Sequence, residues 1–438
     1  MPAPASSANT KWADGIRGLA SLLVVTAHVC RSLAPFLLSP TLGPKNGPML
    51  MQLPILRCLV MGRASVAVFA IVSGYVNGLK PIRQTRAGQI DAALAGIAKA
   101  AYRRTGRFIA PVMVATITSW LICQLGAYRL ARVVDSQWIR DSSPRASASF
   151  PMAFVDLFQN LVTTWTSGAN IYDPIQWTMT FLLRGSMLIY LTLFATAYIQ
   201  PRFRILVYAT MQAYYWWIGD AVIGINVFAG LIMAELTYDE GFQDLIKRRS
   251  IVAGLLSFIM ILLGMLCTSF PEENPDWATW SKTMIRIGRH IFPSHAEHSR
   301  FYSGLGAQLI CYGVMINSTA RRLVSSSWPC FLGKVSYAVY LTHAPLIRTV
   351  LTWGLFGFSK RPPSPGHDKE GRWFPQPWTP LTSKWLAVVL VPLWYIFLYR
   401  MALFWTAYVD PLCAKACNWI ETKMFREETV AEKQTLLA

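Results

Sequence analysis

The sequence predicts an all-α integral membrane protein of about ten transmembrane helices, with both termini in the cytosol. Hydrophobic residues make up 53% of its 438 residues. Only 14% of the residues are charged, whereas soluble globular proteins have about 25%. The 41 basic residues outnumber the 22 acidic ones, for a formal net charge of +19, and they interrupt long apolar runs. This pattern indicates basic loops between membrane spans, and it argues against a soluble enzyme or a nucleic-acid-binding protein.

Apolar segments in this chain approach the roughly 20 residues that a helix needs to cross a bilayer. The ten candidates cover residues 15–35, 59–79, 107–127, 177–199, 203–219, 220–236, 251–268, 301–318, 331–352 and 384–407. The fifth and sixth form one apolar run that is interrupted only at Gly219 and Asp220. We expect a tight turn at that pair.

The basic residues also predict which way the helices run. With a cytosolic N-terminus, every short cytosolic loop is basic, including the stretch from Lys80 to Arg107, the pair Arg321 and Arg322, and the tail after Lys415. That agrees with the positive-inside rule. The long loops then lie outside the cytosol, at 128–176, 269–300 and 353–384.

The predicted organisation is one membrane domain, residues 13–410, between a cytosolic N-terminal tail, 1–12, and a cytosolic C-terminal tail, 411–438. The first apolar run is interpreted as a retained signal anchor. We expect a multi-pass protein of the endoplasmic reticulum or another endomembrane. The eight cysteines form no CxxC pair, so neither a metal site nor a disulfide framework is predicted.

Ionisable residues inside spans are costly and therefore mark candidate functional sites. Arg17 and His28 are 11 residues apart, which places them on one helix face, roughly 16 Å from each other. His28 lies 13 residues after Gly15, and His343 lies 12 residues after Phe331. Counted from the cytosolic end of each span, the two imidazoles should share a depth, and we expect a common chamber.

Several sequence blocks follow one another in a recognisable order. They are Asp14-Gly15 with Arg17 and His28, the segment from Arg63 to Ser73-Gly74-Tyr75, the cluster Arg103, Arg104 and Arg107, the segment from Trp177 to Arg184-Gly185-Ser186, and the block from Ser336-Tyr337 to His343. Each block by itself is weak evidence for a family. The ordered set covers nearly the whole chain and resembles the integral membrane acyltransferase type 3 family, its fungal members most of all.

The resemblance implies an acyl-CoA-dependent O-acyltransferase that moves an acyl group, acetyl by preference, to a hydroxyl of a small molecule such as a fungal secondary metabolite. Acyl-CoA would be a cosubstrate rather than a permanently bound cofactor. His28 would be the general base, since a neutral imidazole suits proton removal near neutral pH. The further roles implied are catalysis with His28 for Arg17 and His343, CoA-phosphate binding for Arg17, Arg103, Arg104 and Arg107, and substrate binding for Arg63, Ser73, Trp177, Arg184 and Tyr337.

One position departs from the family pattern. Fungal-type members usually carry a Glu two residues before the Arg-Gly-Ser block, and this chain has Leu182 there. If that Glu orients or charges the catalytic machinery in the family, we expect this chain to use another carboxylate or to have altered activity. Two alternatives stay open: a transporter of an organic anion, for which we find no internal repeat, and a catalytically divergent relative that only binds acyl-CoA or a partner enzyme.

Overall fold

The computed structural model describes residues 10–359, 365–367, 373–375 and 378–424. The fold is a helical bundle, as the sequence predicts. Its helices are α1 (Lys11–Leu33), α2 (Arg63–Arg86), α3 (Ile90–Gln124), α4 (Gln137–Ser142), α5 (Phe150–Thr166), α6 (Trp177–Ala195), α7 (Pro201–Trp217), α8 (Gly224–Thr237), α9 (Glu240–Arg248), α10 (Ser250–Thr268), α11 (Thr279–Ile291), α12 (His298–Ile316), α13 (Ser318–Val324), α14 (Ser327–Leu346), α15 (Thr352–Phe356), α16 (Lys384–Phe404) and α17 (Asp410–Met424).

Two π-helical segments make longer rods out of neighbouring helices. Ile347–Leu351 joins α14 to α15, and Trp405–Val409 joins α16 to α17. The predicted C-terminal tail therefore begins inside α17, and residues 425–438 lie outside the described part of the chain. Residues 1–9 of the predicted N-terminal tail lie outside it too. Between α15 and α16, strand β1 (Pro365–His367) pairs antiparallel with β2 (Trp373–Pro375).

All ten predicted segments are helical, but ten spans are not confirmed. Of the described helices, six are long and apolar enough to cross a membrane. They are α1, α2, α3, α6, α10 and the rod from α16 to α17. α7 and α8 have 17 and 14 residues, or about 26 and 21 Å at 1.5 Å per residue, which is short for a hydrocarbon core of about 30 Å. The turn expected at Gly219 is present, with a φ of 85° at that glycine.

Glycines let α1 and α14 touch. A Cβ on Gly333 would lie 2.1 Å from the carbonyl oxygen of Asp14, and one on Gly18 would lie 2.4 Å from the amide nitrogen of Gly333. Only glycine fits such a backbone approach, as at other tight helix crossings in membranes. This crossing sets His28 on α1 beside His343 on α14.

The two ends of the bundle differ. We call the end where α1 begins the N-terminal end, and the end where α1 finishes, which carries the long connections, the loop end. At the N-terminal end a buried carboxylate, Glu235 of α8, pairs with Arg86 of α2 at 2.9 Å and with Arg204 of α7. At the loop end α4, α5 and α11 give the predicted external loops ordered structure.

Candidate active site

Two histidines on neighbouring helices meet inside the bundle. The ring centroids of His28 and His343 lie 5.3 Å apart, so they share the depth that the sequence predicts. Nδ1 of His343 lies 3.1 Å from the carbonyl oxygen of Val339 and 2.8 Å from that of Tyr340. Because a carbonyl oxygen only accepts, we assign the proton of neutral His343 to Nδ1, which leaves its Nε2 as an acceptor.

One further ring nitrogen of each histidine is buried. Nε2 of His343 and Nδ1 of His28 have no hydrogen-bond partner among the described residues. Buried polar groups normally have partners, and exceptions concentrate at functional sites. These two nitrogens are not hydrogen-bonded to each other, but a proton on Nδ1 of His28 would complement the acceptor Nε2 of His343 in the neighbouring ring.

A tryptophan that the sequence analysis did not single out covers the other side of His28. The rings of Trp138 and His28 have centroids 5.3 Å apart. The short helix α4, which carries Trp138, is held at both ends: the Ser136 hydroxyl donates to the carbonyl oxygen of Ser32 at 2.6 Å, and Arg348 donates to that of Ser142 at 2.6 Å. His28 is thus enclosed between Trp138 and His343. A tryptophan in a long polar loop gave no pattern by which the sequence could have identified it.

His28 lines a cavity of about 350 Å³ that we call the loop-end cavity. Its wall includes the predicted residues Arg63 and Trp177, and also Trp138 and Tyr340. Its charged lining residues are Arg31, Arg63, Glu272 and Arg300. The volume falls in the range of small-molecule sites, about 300–1,000 Å³.

A chain of ion pairs runs along this cavity. Glu272, whose side chain is 7% exposed, bridges Arg31 and Arg63, with 3.2 Å between its Oε1 and Nε of Arg63. Glu297 bridges Arg63 and Arg300, the latter at 2.6 Å. Partial burial opposes ionisation of Glu297, but a hydrogen bond from Ser299 and the charges of Arg63 and Arg300 outweigh it and lower the pKa of Glu297.

Three other predicted cationic residues line a second cavity of about 300 Å³, the N-terminal cavity. Arg17, Arg104 and Arg107 lie on its wall with one carboxylate, Asp14, which pairs with Arg17 at 3.0 Å. Arg17 also donates to the carbonyl oxygen of Gly333 at 3.0 Å. A cavity with three guanidinium groups and one carboxylate favours an anion.

Four further residues named in the sequence analysis line this N-terminal cavity: Ser73, Leu182, Ser336 and Tyr337. The Tyr337 hydroxyl donates to the carbonyl oxygen of Phe108 at 2.8 Å. The departure from the family pattern thus falls beside the three arginines, where Leu182 makes the wall less acidic than a Glu would.

Tyr340 lines both cavities and stands between them. Its hydroxyl donates to the carbonyl oxygen of Ile175 at 2.9 Å and lies 2.6 Å from Oγ1 of Thr178. The ring of Phe69, which lines the N-terminal cavity, meets the Tyr340 ring edge-on, with centroids 6.2 Å apart. Tyr340 lies within the block from Ser336-Tyr337 to His343, and the sequence predicted no role for it.

The structure does not bring Arg103 and Arg184 to either cavity. Arg103 is exposed and pairs with Glu421 of α17 at 2.7 Å. Arg184 donates to the carbonyl oxygen of Thr166 at 3.2 Å, and its guanidinium lies 5.9 Å from the ring centre of Phe181. Neither residue is among those that line the two cavities, and the contacts of Arg103 with CoA and of Arg184 with substrate stay predictions.

Comparisons with known proteins match most of this chain to acyltransferases. A family model described as an acyltransferase domain matches residues 10–409. An acyltransferase of Cochliobolus lunatus is 25% identical over an alignment that covers 79% of this chain and 84% of that protein. An acyltransferase of Phoma sp. is 24% identical over an alignment that covers 82% of this chain and 88% of that protein.

A third relative is an O-acetyltransferase of Phomopsis amygdali, which is 21% identical over an alignment that covers 78% of this chain and 73% of that protein. No solved structure matches the chain.

Proposed function

The chain belongs to the integral membrane acyltransferase type 3 family, and from that premise we propose that it transfers an acyl group from acyl-CoA to a hydroxyl of a small molecule. An acetyl group is the preferred choice, since one relative is named an O-acetyltransferase. We further propose a fungal secondary metabolite as the acceptor and an endomembrane, such as the endoplasmic reticulum, as the location, as the sequence resemblance implies.

The observation that carries this proposal is His28, an imidazole that lines a cavity and has a second histidine behind it. If Nδ1 of His28 carries the proton, as the neighbouring acceptor Nε2 of His343 favours, then Nε2 of His28 is unprotonated and free to act as the base. That is the way in which a buried group orients a catalytic histidine.

In the proposed chemical step, His28 alone carries the proton from the acceptor to the leaving group. Nε2 of His28 takes the proton from the acceptor hydroxyl while the hydroxyl oxygen attacks the thioester carbonyl carbon. The C–S bond then breaks, the ester remains on the acceptor, and the proton passes to the leaving sulfur to give free CoA. General-base assistance of this kind contributes about 10²- to 10⁴-fold to a rate.

The N-terminal cavity is where we place the nucleotide part of the donor. Arg17, Arg104 and Arg107 line it, and guanidinium groups bind phosphates through charge and forked hydrogen bonds. Arg17 lies about three helical turns, roughly 16 Å, from His28. An extended arm carrying the thioester would cover that distance along α1 and past Tyr340. Ser73 and Tyr337 would then contact the donor, and Arg63 and Trp177 the acceptor.

The decisive experiment uses membranes that contain the protein, labelled acetyl-CoA and a panel of hydroxylated acceptors. We expect His28→Ala to lower product formation by about 100-fold or more. The matched control is His290→Ala, because His290 is exposed on α11 and should leave the rate unchanged.

Each outcome separates the hypotheses. Equal product from the wild type and His28→Ala would remove His28 from the mechanism. Absence of product with every acceptor, while labelled acetyl-CoA still binds, would favour the divergent relative that Leu182 suggests. Uptake of an organic anion into sealed vesicles without CoA would favour a transporter.

A further inference from the structure

Arginines outnumber carboxylates on the wall of the loop-end cavity. Three guanidinium groups, those of Arg31, Arg63 and Arg300, and a single carboxylate, that of Glu272, line it. The proposed binding of CoA phosphates uses arginines at the opposite end of the bundle. The positive-inside rule does not account for Arg31, Arg63 and Arg300 either, because the predicted orientation puts them on the non-cytosolic side.

We propose that the acceptor carries a carboxylate, which binds between Arg31 and Arg300 while its hydroxyl faces His28. The inference rests on the proposed acyl transfer and names the acceptor class of the same site. It follows from the order of the charges along the cavity.

The ion pairs alternate in a chain that begins and ends with arginine. Its order is Arg31, Glu272, Arg63, Glu297, Arg300. Each carboxylate in it bridges two guanidinium groups, whereas each terminal arginine has one carboxylate partner in the chain. The five groups together carry a net charge of +1, so one further anion would balance them.

Both terminal arginines have N–H groups beyond those used in the chain. Arg31 reaches Glu272 through one terminal nitrogen, and Arg300 reaches Glu297 through Nε. A guanidinium has five N–H donors in a planar fork that matches a carboxylate. Arg300 also lies over the Trp177 ring at 6.0 Å, which keeps its guanidinium beside another residue of the cavity wall.

Much of the remaining wall is apolar, including Val24, Ala27 and Val66. In such surroundings a charge pair is stronger than in water, and an uncharged analogue leaves the cations without compensation. The matching acceptor is therefore a mostly apolar hydroxy acid rather than a neutral sugar or alcohol.

The test compares two matched probes, 10-hydroxydecanoic acid and its methyl ester, by calorimetric binding to the full-length protein in detergent without acyl-CoA. We expect the wild type to bind the acid about 10-fold more tightly or better, which corresponds to about 1.4 kcal/mol. Arg300→Gln should abolish this preference and leave ester binding within about 2-fold. That variant is chosen because Glu297 still has Arg63 as its partner.

The control variant is Arg286→Gln, since Arg286 is exposed on α11 and absent from the cavity wall; it should keep the preference for the acid. Equal binding of the two probes, tighter binding of the ester, no binding of the acid, or an unchanged preference in Arg300→Gln would each overturn the proposal. Because binding is measured without a donor, its failure is distinct from a failure of acyl transfer.

Discussion

At the scale of single residues, Arg348 ties the parts of the candidate site together. It lies five residues after His343 and is fully buried. Its guanidinium donates to the carbonyl oxygens of Ser142 on α4 at 2.6 Å and of Tyr172 at 3.0 Å. It also pairs with the buried carboxylate of Asp173 at 3.3 Å. Trp138 and Trp177 lie on the two segments that this one side chain holds.

Removal of Arg348 from its ion pair with Asp173 should destabilise the protein strongly. We expect Arg348→Met to lower the free energy of unfolding by about 3–5 kcal/mol, because Asp173 is left as an uncompensated buried charge. The measurement is denaturant unfolding in detergent, with Arg322→Met on the exposed face of α13 as a control. Combining Arg348→Met with Asp173→Asn should recover part of the loss; costs that simply add would show that the two charges are not coupled.

The sequence identified His28, His343 and Arg17 as candidate site residues because they are ionisable groups within apolar runs, and such groups inside a span usually serve a function. Glu272 and Trp138 could not be found this way. Both lie in long loops, where a carboxylate or a tryptophan is ordinary, and only the folded chain puts them beside His28.

At the scale of elements, the contact between α1 and α14 determines whether the two histidines meet. A Cβ at Gly333 would lie 2.1 Å from a backbone oxygen of α1, an atom that cannot move aside as a flexible side chain would. The two helices would have to separate, and the rings of His28 and His343 with them.

We therefore expect Gly333→Ala to cost about 1–3 kcal/mol of stability through overpacking and to lower acyl transfer in the membrane assay by about 10-fold or more. Gly254→Ala on α10 is the matched control, since a Cβ there meets no atom within 4 Å. Wild-type activity in Gly333→Ala would show that the close crossing is not needed to position the histidines.

The prediction of ten spans is not confirmed where length and polarity conflict. Hydropathy identified ten segments that are helical, and six of the described helices meet the length and hydropathy requirements for a span. α7 and α8 are shortened by the turn between them, while α12 and α14 carry the polar residues that serve the cavities, among them Arg300 and His343. An apolar segment in the middle of a bundle packs against protein, so its composition does not have to satisfy a bilayer.

At the scale of the whole molecule, the two cavities lie toward opposite ends of the bundle, and Tyr340 stands between them. Six spans and ten spans are both even numbers, and an even number puts the two termini on the same side of the membrane. From the basic short loops, the positive-inside rule predicts that this side is the cytosol.

Tags on the two termini should therefore behave alike in sealed microsomes. We expect protease added outside to remove both tags, and a glycosylation acceptor sequence inserted between α10 and α11 to be modified in the lumen. Protection of one tag and cleavage of the other would contradict the orientation. Permeabilised microsomes supply the control, since every tag becomes accessible there.

The sequence by itself determined the class of the fold, the helical segments, the family and the cations that could meet an acyl-CoA, because these depend on hydropathy, local periodicity and ordered motifs. The tertiary structure decided which of those residues share a cavity. It placed Arg17, Arg104 and Arg107 together, directed Arg103 and Arg184 elsewhere, and added Trp138, Glu272 and Tyr340 to the site. The physical reason is that a cavity wall is assembled from residues far apart in the chain, and backbone contacts such as that of Gly333 with Asp14 set which of them meet.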